Sequence, residues 1–471
     1  MQNDIYNSYI SNYFIANKKE AQMKNFSDVA IIGASAAGLS AALTLKRNNP
    51  SLKITLFRKV NKTPVPCGIP YIYGTLHKVD KNIIPDSHFA SLNIQFEVAE
   101  VKEIDKSNKI IKYNGNNELK YENLIIATGS IPFIPPIEGV TLKNIYAIDK
   151  NPKNLQNIED KLKDANDIVI IGGGFIGVEM SEQIAKFKKN NANITIVEML
   201  PHCLMAALEQ EFCIAAENEL RKLGINILTN SQVIKLEGND KVEKVILKNN
   251  KFIKADLVIF GVGAVPNTEL AQKCNIPFDK RRGILINKFM ETDIKSIYAA
   301  GDCTSKFSYI TGKPSNIRLA SVAAYEGIIA ANNILGNKLK NKGAVGAFST
   351  KINNISLASV GLTREACKKE EIDYITGEFT GPDKHPSTLP DTFKDMKVIL
   401  IFETETGKII GGHLKGGDST GEMVNIISTA IQAGLTAENL YQMQVATHPL
   451  LTGSPIAHHI NRAAGDAYFK M

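Results

Sequence analysis

Short apolar runs separated by glycine set the rhythm of this chain. VAII (Val29 to Ile32) stops at GASAAG (Gly33 to Gly38), LSAALTLKRN (Leu39 to Asn48) follows with helical spacing, and ITLF (Ile54 to Phe57) returns to a strand pattern. The same order recurs as IVII (168 to 171), GGGFIG (Gly172 to Gly177), a helical stretch and ITIVE (194 to 198). Strand, glycine-rich turn, helix, strand is how a doubly wound parallel unit with a right-handed crossover begins. The buried run in YENLIIATGSIPFIPP (Tyr121 to Pro136) ends at a Thr-Gly turn and breaks on prolines, and ADLVIFGVGAVPNTEL (Ala255 to Leu270) makes a similar exit. TDIKSIYAAGDC (Thr292 to Cys303) then predicts a return to the first unit. From about Ala344 the pattern changes to longer alternating strands, KVILIFET and KIIGGHLKG, and an amphipathic helix, EMVNIISTAIQAG.

These changes predict an α/β chain with two Rossmann-like dinucleotide-binding domains and a C-terminal α+β domain. Residues 1–26 read as a mobile tail, 27–140 and 268–343 as a discontinuous first domain, 141–267 as the second, and 344–471 as the third. A chain of 471 residues is too long for one core, and 44% hydrophobic with 22% charged residues is an ordinary globular composition. Every long apolar run is interrupted by Gly, Pro or a charge, so no membrane span is expected. The net charge of +7 is scattered rather than striped, which argues against nucleic acid as a partner. Six cysteines without CxxC spacing or a Cys/His cluster argue against a metal site and a disulfide scaffold, and point to a cytoplasmic protein.

In the first loop Gly33 permits the turn and Gly38 the close helix packing, while Ser35 replaces the middle glycine. The second loop has Gly172, Gly174 and Gly177, and Glu198 ends the next strand where a carboxylate accepts from ribose hydroxyls and repels a 2′-phosphate, favouring NADH over NADPH. Glu179, one turn into the helix, either faces the nicotinamide or is a plain surface glutamate. Cys67, framed by Pro66 and Gly68 in VPCGIPYIYG, is predicted at a helix start that stabilises a thiolate. Taken alone a cysteine is more often a small buried hydrophobe, but its frame between two nucleotide loops favours chemistry. The five-residue offset for a partner thiol holds Ile72, so redox cycling would use one sulfur. Two dinucleotides and a thiol imply electron transfer. The other five cysteines read as packing, and His458 and His459 as surface or helix-end residues.

GASAAG, Cys67 in PCGIPYIYG, ATG (Ala127 to Gly129), GGGFIG, GVGAVPNTEL and TDIKSIYAAGD together resemble the pyridine nucleotide-disulfide oxidoreductases, from about residue 28 onward. The single cysteine is similar to the branch of NADH oxidases and coenzyme A-disulfide reductases. The resemblance implies FAD at the first loop and NADH, or NADPH, at the second. It assigns cofactor contacts to Gly33, Ser35, Ala36, Ala37, Gly38, Arg58, Thr128, Gly129, Asp302 and Ala320, with Asp302 on the ribitol. A second set is Gly172, Gly174, Phe175, Ile176, Gly177, Glu179, Glu198 and Gly263. It also implies a homodimer formed by the third domain, with His448 near the partner's Cys67, as a catalytic or a structural histidine. Three positions depart from the pattern: Arg58 replaces the ribose-binding acid, Ala36 stands where peroxidases carry histidine, and Gly453 replaces the glutamate of an HPxxxE segment. The implied reaction passes electrons from NADH through flavin and Cys67 to a small disulfide, a polysulfide or dioxygen. A slowly turning NADH sensor is the alternative.

Overall fold

The computed structural model describes residues 25–189 and 191–471. The tail therefore lies outside the described residues apart from its last two positions, and Phe26 is already paired in the first strand. β1 (Phe26–Ile32) is buried along Val29, Ala30 and Ile31, as an apolar run covered on both faces must be. α1 (Ala36–Asn48) buries Ala37, Gly38, Ala41 and Ala42, small residues that let it lie close to its neighbours. β2 (Ile54–Arg58), β3 (Ile94–Val98), β4 (Val101–Asp105), β5 (Ile110–Tyr113) and β6 (Asn117–Ile126) extend the first sheet.

The chain leaves through β7 (Ser130–Pro132) and builds β8 (Ile145–Ala147), β9 (Asp167–Ile171), α2 (Phe175–Lys188), β10 (Asn193–Val197), α3 (Gln210–Lys222), β11 (Asn226–Leu228) and β12 (Leu257–Phe260). These five strands form one parallel sheet in the order β11-β10-β9-β12-β8. β13 (Ala264–Pro266) leads out and pairs antiparallel with β7. β14 (Ile297–Ala299) then joins β6 in parallel, completing the first sheet around β3-β2-β1-β6-β5-β4 and bearing out the predicted return.

After β15 (Lys306–Phe307) and α4 (Ala320–Ile334) the chain forms β16 (Ala347–Ile352), β17 (Ile355–Gly361), β18 (Tyr374–Gly381), β19 (Met396–Glu403) and β20 (Ile409–Gly416). They make an antiparallel sheet in the order β16-β17-β20-β19-β18, packed by α5 (Thr420–Ala433) and α6 (His459–Tyr468). His458 and His459 do stand at a helix start, but both are buried rather than on the surface, because α6 docks on β18 and β19. No described helix is long and apolar enough to cross a membrane.

At the junction of each glycine loop with its helix there is no room for a Cβ. A Cβ on Gly38 would lie 1.8 Å from the Gly33 oxygen, whereas one on Gly421 in α5 would have nothing within 4 Å. Gly38→Val is expected to destabilise the apoprotein by at least about 3 kcal/mol, and Gly421→Ala by less than about 1 kcal/mol. Denaturant unfolding followed by circular dichroism measures both; equal effects would contradict the packing argument.

Candidate active site

Both loops are closed by backbone contact. Gly33 has φ +119°, and its Cβ would meet the Ala127 oxygen at 2.0 Å. Gly172 has φ +106°, and a Cβ on Gly177 would lie 1.9 Å from the Gly172 oxygen. Ser35 and Gly174 precede α1 and α2 in extended conformation and neither makes a side-chain cap, which leaves first-turn N–H groups for an anion. Glu198 follows β10 and accepts from Gly173 N–H at 2.6 Å and Leu200 N–H at 2.7 Å. Its carboxylate is thus held on the second loop. Arg58 ends β2 with its guanidinium bound on two nitrogens by Asp86, at 2.7 and 2.5 Å, and lies over the Phe96 ring. The charge of Arg58 is therefore balanced by an acid from another segment.

The ATG turn is tied to the return linker: Thr128 Oγ1 donates to Asn267 C=O at 2.8 Å, and the Gly129 carbonyl accepts from Asn267 N–H at 2.9 Å. Across from it the Gly263 carbonyl accepts from Phe133 N–H at 3.0 Å. Asp302 Oδ2 accepts from Ser130 Oγ at 3.0 Å, while its Oδ1 is buried with no partner in the protein. Ala320 opens α4, whose start also lacks a side-chain cap. Two Cβ-free loop closures, uncapped helix starts and an orphaned acceptor at Asp302 fit an extended, hydroxyl-bearing dinucleotide.

Cys67 lies in a single 3-10 turn, Pro66–Gly68, which Asn82 pins from below by donating to Val65 C=O at 3.0 Å. The next turn, a π-turn over Ile72–Leu76, docks on α2, where Thr75 Oγ1 donates to Gln183 Oε1 at 2.7 Å. The loop thus bridges the first two domains. Cys67 is exposed and the other five cysteines are buried, as predicted for packing residues. The expected lowering of its thiol pKa is not what the protein's own groups produce. Although the residue reaches solvent, partial burial of its sulfur and then the Glu179 carboxylate push the Cys67 thiol above its ordinary value, Asp302 adds to this, and Lys150 pulls the other way. The physical reason is that partial burial of the sulfur disfavours its charged form, two acids outweigh one lysine, and a three-residue turn carries little helix dipole to offset them.

Glu179 is not a plain surface glutamate: burial raises its carboxyl to about 7, although Thr350 Oγ1 donates to it at 2.8 Å. One turn earlier Phe175 stacks on Phe348 with centroids 5.2 Å apart and planes at 3°. Tyr71, four residues after Cys67, is held above its usual pKa by burial, Glu179 and Glu182. Tyr71, Lys150, Phe348 and Thr350 escaped the sequence reading, since three lie far from any glycine loop and none belongs to a spacing motif. His448 lies in an exposed turn whose Nδ1 accepts from Leu450 N–H at 3.3 Å, beside exposed Leu450 and Leu451.

The signature of pyridine nucleotide-disulphide oxidoreductases matches residues 27–327, and that of their dimerisation domain matches 348–456. The chain is 31% identical to an NADH oxidase of Methanocaldococcus jannaschii over 457 residues, 94% of this chain and 98% of that protein. It is 31% identical to an NAD(P)H coenzyme A polysulfide/persulfide reductase of Pyrococcus horikoshii, over 89% of this chain and 94% of that one. Among solved structures, an NAD-dependent persulfide reductase from A. fulgidus superposes with TM-score 0.87 at 30% identity, covering 94% of this chain and 83% of that one.

A charged Glu179 disfavours the Cys67 thiolate, so Glu179→Gln is expected to raise the rate of thiol modification in the apoprotein several-fold above pH 7. Below pH 6, where the wild-type Glu179 is protonated and as uncharged as the glutamine, the rates should converge. Chromogenic disulfide titration against pH checks this; a difference that persists at pH 5.5 would rule out the charge effect.

Proposed function

This chain belongs to the pyridine nucleotide-disulphide oxidoreductase family, and we propose that within it the protein uses NADH to reduce sulfur–sulfur bonds through Cys67. It is an NAD(P)H-dependent flavoprotein oxidoreductase. The observation that carries the finer reading is the single exposed thiol, whose ionisation is opposed by Asp302 of the first unit and Glu179 of the second. Bound FAD would supply two-electron transfer between nicotinamide and thiol. Gly33, Ser35 and Gly38 with the start of α1 would receive its pyrophosphate, and Asp302 Oδ1 would accept from its polyol. Glu198 would accept from the NADH ribose and oppose a 2′-phosphate.

The Cys67 thiolate attacks one sulfur of a disulfide or persulfide, a new S–S bond to Cys67 forms as the old one breaks, and the released thiolate takes a proton. Two-electron reduction of the new bond returns the Cys67 thiolate and frees the second thiol. Glu179, with its carboxyl near 7, can hold or release a proton beside this exchange. Homodimerisation through the third domain would cover exposed Leu450, Leu451 and Ile456 and bring His448 to the partner's Cys67. Dioxygen is the second acceptor reading, favoured by the relative named NADH oxidase.

Cys67→Ser is expected to retain FAD and its reduction by NADH in stopped flow, while turnover with coenzyme A disulfide or polysulfide falls by at least about 10²-fold. Near wild-type disulfide reduction by this variant would make the thiol structural, and the activity would then have to come from the flavin alone. Wild-type kcat/KM should favour NADH over NADPH by about tenfold or more, and Glu198→Ala should narrow the gap. A native preference for NADPH would overturn the role given to Glu198.

A further inference from the structure

Beneath the turn that presents Asp302 lies an ion pair between Lys306 of β15 and Glu326 of α4. Their side chains are 3% and 2% exposed, with Nζ 2.7 Å from Oε2 and 2.9 Å from Oε1. The pair closes on the backbone of one residue, Gly301, from both sides. Glu326 Oε2 accepts from Gly301 N–H at 2.8 Å, and Lys306 Nζ donates to Gly301 C=O at 2.8 Å. The Thr304 hydroxyl donates within the same group, 2.8 Å from the Gly301 oxygen and 3.1 Å from Glu326, and accepts from Lys306 at 3.0 Å. On the other side α1 blocks movement, since Gly301 has φ +85° and its Cβ would lie 2.9 Å from Ala37 Cβ. Gly301 is the residue before Asp302, whose Oδ1 is the buried acceptor without a protein partner.

Stability alone does not call for charges here. Two ions removed from water recover only part of their hydration through mutual attraction, and apolar pairs of similar volume are often as stable. What charges add is direction: a carboxylate and an ammonium fix a peptide N–H and C=O more strongly than neutral groups do.

We propose that Lys306 and Glu326 are positioning residues that clamp the backbone of Gly301 on both sides, so that Oδ1 of the adjoining Asp302 is held ready for a hydroxyl of the flavin cofactor. The proposal rests on the reading of Asp302 as a cofactor ligand. The test measures FAD affinity of apoprotein by flavin fluorescence quenching, together with apoprotein melting temperature. Asp302→Ala should weaken FAD by about tenfold or more, the double variant Lys306→Met/Glu326→Gln by about tenfold, and the triple variant no more than Asp302→Ala alone. The apoprotein of the double variant should melt within about 4 °C of wild type. Thr304→Val should show a smaller loss in the same direction, again absent when Asp302 is Ala, and serves if the double variant does not fold. Wild-type FAD affinity in the clamp variants, or losses that add fully to that of Asp302→Ala, overturns the clamp and leaves Asp302 as ligand. Unchanged affinity in Asp302→Ala overturns both.

Discussion

The fold hangs on two places where a helix is drawn so close to the strand before it that no Cβ fits. At Gly38 and Gly177 an added Cβ would lie within 2 Å of the oxygen of Gly33 or Gly172. That approach seats the helix start over the strand end, where first-turn N–H groups converge on a phosphate-sized space. The same geometry explains why the middle position varies. A Cβ on Gly174 would meet nothing nearer than 4.0 Å, so a serine at the matching site, Ser35, costs the turn nothing.

The second unit is fastened to the third as well as to the first. Phe175 and Glu179, one turn apart on α2, meet Phe348 and Thr350, two apart on β16, so a helix face and a strand face are in register. Glu182 accepts from Asn353 N–H at 2.7 Å, Glu219 from Asn353 Nδ2 at 2.8 Å and Glu209 from Arg364 N–H at 2.8 Å. Carboxylates of the second unit thus take donors from the third domain. One of them, Glu179, also sets the electrostatics at Cys67, and its surroundings depend on all three domains.

Much of this was legible because loops and strands leave local marks. GASAAG, GGGFIG and the runs that flank them announced β1, α1, β9, α2 and β10, and Thr292 to Cys303 announced the return of β14 to β6. The change of pattern near Ala344 marked the third domain. What stayed hidden was made by contacts between distant segments. No spacing links Thr350 to Glu179, Asp86 to Arg58, or Lys306 to Glu326. The direction of the Cys67 shift was misjudged for the same reason: a Pro-Cys-Gly turn suggests a helix start, but the acids that oppose ionisation come from α2 and from the turn at Asp302.

The two linkers between the first and second units run side by side, Ser130 facing Pro266 and Pro132 facing Ala264. The entry and exit of some 130 residues are therefore one strand spacing apart, about 5 Å. Such an insert behaves as a cassette. Its removal would leave two ends already close enough to rejoin, and the host sheet, in which β6 and β14 are neighbours, does not depend on what is strung between them. The two units occupy separately exchangeable pieces of chain, so a lineage could recruit a different second unit without rebuilding the first sheet.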